Sequence, residues 1–121
     1  MAGISTHVLD NYTGRPGAGM RIDFSARQAD GSWKLVKTMT TNADGRTDAP
    51  LIEGDDLVPG TYQIEYAVGP YFAGLPLDPS AAPAEPYLDR VPVRVNLAPV
   101  TGPVHVALLV TPWSYTTYRG S

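Results

Sequence analysis

With 121 residues, the chain has room for one compact domain with one core, so a single unit spanning residues 1–121 is expected to carry whatever the protein does. Hydrophobic residues at 43% and charged residues at 17% exclude a disordered or fibrous chain, and twelve glycines with twelve prolines punctuate it too densely for long helices. A net charge of −3 disfavours a sequence-independent grip on nucleic acid or anionic lipid, and the absence of cysteine excludes disulfides, thiolate nucleophiles and sulfur-ligated zinc.

In chain order, the first alternation covers residues 4–10, with Ile4, Thr6 and Val8 on one face and Ser5, His7 and Leu9 on the other. Met20, Ile22, Phe24 and Ala26 then alternate with Arg21, Asp23, Ser25 and Arg27, which predicts a half-buried strand. Asp30-Gly31 supplies a tight turn, and residues 33–40 return as the second arm of a hairpin. A further turn signal lies at residues 42–45, and the acidic stretch 51–60 has room for one helical turn. Residues 61–68 form another strand, with Tyr62, Ile64, Tyr66 and Val68 on one face.

Five prolines between Gly69 and Pro86 preclude a ladder there and predict a loop with a short helix at most. Val91, Val93, Val95 and Leu97 form one apolar row, and Val104, Val106, Leu108 and Val110 form the next, so residues 91–110 read as a second hairpin turning at 98–103. Residues 115–119 supply a last strand rich in β-branched and aromatic side chains. Seven or eight strands without intervening helical periods predict an all-β, antiparallel Greek-key sandwich. No apolar run reaches the ~18 residues of a membrane span, and the first seven residues lack a secretory pattern, so the expected location is the cytoplasm.

Two histidines with no acidic cluster at ligand spacing predict no metal site, and no glycine-rich phosphate loop follows a strand, so no cofactor is expected. On alternation alone His7 and His105 read as surface or interface side chains facing away from the core. Arg46, just after the 42–45 turn, reads by itself as a solvated loop arginine whose planar fork of donors could otherwise recognise an anion or carbonyl. The ending Tyr118-Arg119-Gly120-Ser121 is an unusual tail, because Gly120 permits a sharp bend and Ser121 contributes a hydroxyl.

Several segments carry a family resemblance: Ile4-Ser-Thr-His-Val-Leu-Asp10 with Gly14-Arg-Pro16, Thr41-Asn-Ala-Asp-Gly-Arg46, Gly60-Thr-Tyr62, His105-Val-Ala-Leu-Leu109 and Tyr115-Thr-Thr-Tyr-Arg-Gly-Ser121. Together they resemble the transthyretin-related family and, within it, the 5-hydroxyisourate hydrolases, over nearly the whole chain. The resemblance implies His7, Arg46 and His105 as the catalytic set, with Tyr118, Arg119, Gly120 and Ser121 lining the site beside His7 and Arg46. It also implies a homotetramer, a dimer of dimers, whose central channel holds the sites. The chain departs from the family pattern at Ala107, where proline is usual, at Pro103, where a histidine is common, and between Gly74 and Asp89.

The implied reaction opens the six-membered ring of 5-hydroxyisourate to give 2-oxo-4-hydroxy-4-carboxy-5-ureidoimidazoline, on the route from urate to (S)-allantoin. Water attacking a ring carbonyl without a metal needs a base with a pKa near neutrality, which an imidazole supplies. Either histidine could serve, with His7 favoured, and Arg46 with the tail would stabilise the oxyanion. Ser121 as a covalent nucleophile is a less favoured route, because no Ser-His-Asp spacing supports it. The competing readings are a transthyretin-like carrier of a small aromatic ligand and a β-sandwich interaction module.

Overall fold

The computed structural model describes residues 3–75, 86–98 and 102–120. Among these residues lie nine strands and one α-helix: β1 (Gly3–Asp10), β2 (Arg15–Pro16), β3 (Arg21–Arg27), β4 (Trp33–Thr40), β5 (Ile52–Glu53), β6 (Gly60–Ala67), α1 (Val68–Ala73), β7 (Arg90–Leu97), β8 (Val104–Val110) and β9 (Tyr115–Gly120). They form two sheets, one ordered β2-β1-β8-β9 with β5 also paired to β1, the other ordered β4-β3-β6-β7. All pairings are antiparallel except β1 with β8, which run parallel from Ile4↔Val104 to Asp10↔Val110.

The two-residue period is visible in the burial itself, since β1 alternates half-buried and buried along its length. Ile4, Val8, Ile22, Phe24, Ile64, Tyr66, Leu108 and Val110 meet in the core between the sheets. The rings of Phe24 and Tyr62 stack there at 5.4 Å. Inside this apolar layer Thr6 and Tyr66 share a hydrogen bond of 2.8 Å, and Thr6 also donates to the carbonyl of Val106 at 2.8 Å. Both side chains are therefore satisfied although burial removes them from water.

The first expected hairpin is present as β3 and β4. The second is not: β7 pairs with β6 in one sheet and β8 with β1 and β9 in the other, so the chain crosses between sheets where a tight turn was expected. Two consecutive apolar rows establish that each strand has a buried face, and facing rows on opposite sheets satisfy that pattern as well as one hairpin does. The acidic stretch holds a single 3-10 turn at Gly54–Asp56. The short helix of the proline-rich region starts directly at the end of β6, with Pro70 in its first turn, where no backbone N–H is needed. The rest of that region, residues 76–85, lies outside the described residues.

Candidate functional site

The parallel register of β1 with β8 and the antiparallel register of β8 with β9 create cross-strand rows on the outer face of this sheet. One row runs Ser5, His105, Gly120, and the next runs His7, Ala107, Tyr118. Each histidine thus sits in a different row and strand, and the two rings approach to 6.3 Å between centroids. Ala107 lies between His7 and Tyr118 and keeps the floor of this face low.

Arg46 reaches the same place by a different route. Asn42 Oδ1 accepts the N–H groups of Asp44 at 2.9 Å and Arg46 at 3.2 Å, while the Asn42 N–H donates to the Arg46 carbonyl at 2.7 Å. The small loop so closed turns at Gly45, whose φ of +76° is a left-handed conformation that suits glycine. It docks on β1 through the Val8 N–H to the Gly45 carbonyl at 2.8 Å, and His7 and Arg46 face each other in an isolated antiparallel bridge. One edge of β1 is therefore occupied in succession by β2, this bridge and β5, and the other edge by β8.

Each imidazole has one nitrogen engaged. His7 Nε2 donates to the carbonyl of Asp44 at 3.0 Å, and His105 Nδ1 shares a hydrogen bond of 2.8 Å with the hydroxyl of Ser5. Partial burial, followed by the charges of Arg46 and His7, holds the pKa of His105 below the ordinary histidine value of 6.5. His105 is accordingly neutral at pH 7 and available to accept a proton.

Of the residues singled out from sequence, His7, Arg46, His105, Tyr118 and Gly120 come together on this face. Arg119 does not: it pairs with Val106, so its side chain belongs to the other face of β9 and lines a cavity of about 520 Å³ with Arg94, Leu97 and Thr117. Ser121 lies outside the described residues. Ser5 and the Asp44 carbonyl were missed as partners of the histidines. The only signal for Ser5 was its position two residues before His7 on the same strand face. Among the described residues no three His, Asp or Glu side chains are grouped to share a metal ion.

A two-sheet sandwich carrying two imidazoles and a guanidinium on the outer face of its β1-β8-β9 layer defines a transthyretin-type domain with a polar cluster suited to acid-base chemistry. The chain belongs to the HIUase/Transthyretin family, whose model matches residues 4–120. It is 44% identical to the 5-hydroxyisourate hydrolase of Deinococcus radiodurans over 98% of this chain and 96% of that one. The structure of the Klebsiella pneumoniae 5-hydroxyisourate hydrolase overlays with a TM-score of 0.78 at 27% identity, covering the whole of both chains. Transthyretin from Sparus aurata overlays with a TM-score of 0.86 at 26% identity, over 99% of this chain and 97% of that one. Fold likeness alone therefore does not separate enzyme from carrier; the polar cluster has to be weighed with it.

Proposed function

We propose that this protein hydrolyses 5-hydroxyisourate to 2-oxo-4-hydroxy-4-carboxy-5-ureidoimidazoline. The observation that carries the reading is the convergence of His7, Arg46 and His105 on one open sheet face, supported by the similarity to named hydrolases along the full chain. Water attacks a ring carbonyl while an imidazole takes its proton, and the C–O bond forms. The ring C–N bond then breaks, and the proton passes to the leaving nitrogen. Arg46 supplies fixed N–H donors to the oxyanion that develops on the carbonyl. Tyr118 and Gly120 line the site, and Ser121 is assigned to it by the resemblance of the tail.

The reading includes a homotetramer, a dimer of dimers, and a cytoplasmic location. Support for assembly comes from β7 and β9, which are edge strands of their two sheets among the described residues, and from the exposed rings of Tyr115 and Tyr118 on β9. Arg119 enters the binding role only through a site completed by another copy. Carriage of a small ligand is the second reading; it rests on likeness of fold and leaves the paired imidazoles without a task.

The test generates 5-hydroxyisourate in situ from urate with urate oxidase and follows its ultraviolet decay against the unaided rate. Accelerated decay that disappears in folded His7→Ala and Arg46→Ala proteins is expected. No acceleration by a folded wild-type assembly overturns the reading.

A further inference from the structure

The two imidazoles are held by partners of different chemistry. The Asp44 carbonyl on His7 Nε2 can only accept, so that nitrogen keeps its hydrogen and a neutral His7 carries its lone pair on Nδ1. Ser5, on His105 Nδ1, is a hydroxyl and can donate or accept. When Nδ1 carries the hydrogen, Ser5 accepts it; when the hydrogen is on Nε2, Ser5 donates to the bare Nδ1. A proton comes and goes at Nε2 between the neutral ring with its hydrogen on Nδ1 and the imidazolium; Nδ1 keeps its hydrogen in both, and Ser5 accepts it throughout.

The ring is also bounded on its other side. Across β8 from Ser5 stands Gly120, where a Cβ would fall 2.5 Å from the imidazole Cδ2. With Nδ1 tied toward β1 and Cδ2 packed against Gly120 on β9, Nε2 is the nitrogen left unengaged among the described residues.

We propose that Ser5 is a positioning residue for His105: its hydroxyl holds Nδ1 so that Nε2 is the atom that exchanges a proton during the reaction. Its consequence for catalysis rests on the hydrolase reading above, while its consequence for the imidazole can be read without substrate. Ser5 touches the ring and not the reacting molecule, so its loss acts on turnover more than on substrate binding.

The experiment compares wild type with Ser5→Ala, Ser5→Thr and Ser5→Val, the last two differing only in hydroxyl against methyl. In Ser5→Ala and Ser5→Val, kcat is expected to fall about tenfold with KM nearly unchanged, and Ser5→Thr to recover most of the loss. In parallel, the ¹⁵N resonance of His105 Nδ1 in the free protein is expected to move in the Ala and Val variants and to return in Ser5→Thr. An Nδ1 resonance that is the same in wild type, Ser5→Ala and Ser5→Val overturns the proposal, as does a folded Ser5→Thr as slow as Ser5→Val. A wild-type protein that is inactive on 5-hydroxyisourate defeats the hydrolase reading instead, and the resonance comparison still decides what Ser5 does to His105.

Discussion

Gly120 and His105 lie directly opposite each other in the β8-β9 ladder, and the imidazole occupies the volume that any side chain at residue 120 would need. Gly120→Ala is therefore expected to displace the ring without disturbing the core, because residue 120 is on the outer face. A displacement of about 1 Å is enough to lower kcat/KM by about a hundredfold. Steady-state kinetics on a protein with unchanged circular dichroism checks this, and wild-type kcat/KM in the variant would remove ring placement from the mechanism.

Arg46 acts on His105 through its charge and, in the proposed mechanism, on the substrate as well. Its positive charge is among the causes that lower the pKa of His105, so Arg46→Ala is expected to move the acid limb of the pH-rate profile upward, toward 6.5. Loss of the oxyanion donors should also reduce the plateau by about 10²–10³-fold. Arg46→Lys keeps the charge and loses the fork, so its acid limb should stay in place while its plateau drops. Profiles of the three proteins separate the two effects.

Gly45 and Gly54 both adopt left-handed backbone, at φ of +76° and +64°. A Cβ at Gly54 meets nothing within 4 Å, whereas at Gly45 it runs into the carbonyl of Val8 and comes within 3.0 Å of the Gly17 nitrogen. Gly54→Ala should cost about 1–2 kcal/mol, the conformational strain alone. Gly45→Ala should cost roughly 3–5 kcal/mol and undock the loop that delivers Arg46. Urea denaturation of the two variants measures the difference, and equal losses would show that the Val8 contact is not a constraint.

The buried pair Thr6 and Tyr66 predicts an asymmetry. Tyr66→Phe removes one hydroxyl and leaves Thr6 still bonded to the Val106 carbonyl, for a loss of about 1 kcal/mol. Thr6→Val strands the Tyr66 hydroxyl in the core and should cost about 2–3 kcal/mol. The double variant is then expected to be more stable than Thr6→Val alone, since no unpartnered group remains. Denaturation midpoints of the four proteins close this cycle.

Strands with one buried face were legible because side-chain alternation is local: the rows 20–26, 62–68, 91–97 and 104–110 each declare themselves without reference to a partner. Which row joins which sheet was not, because pairing depends on distant contacts, and so β7 and β8 read as a hairpin although they belong to different sheets. The outward placement of His7 and His105 was likewise visible in the alternation. Their approach to one another was not, since it arises from the parallel register Ser5↔His105, a relation that spacing along the chain does not encode. Arg46 came from family resemblance; its docking depends on Asn42 and Gly45 closing a loop whose destination on β1 no local pattern reveals.

That parallel pairing also determines when the protein can mature. Ser5 and His105 are one hundred positions apart, so β1 leaves the ribosome well before its partner β8. Until then β1 lacks its longest ladder, and closure of so large a loop is slow compared with hairpin formation. The nascent chain must be kept from pairing β1 elsewhere, and the site comes into existence only after β8 and β9 have been made.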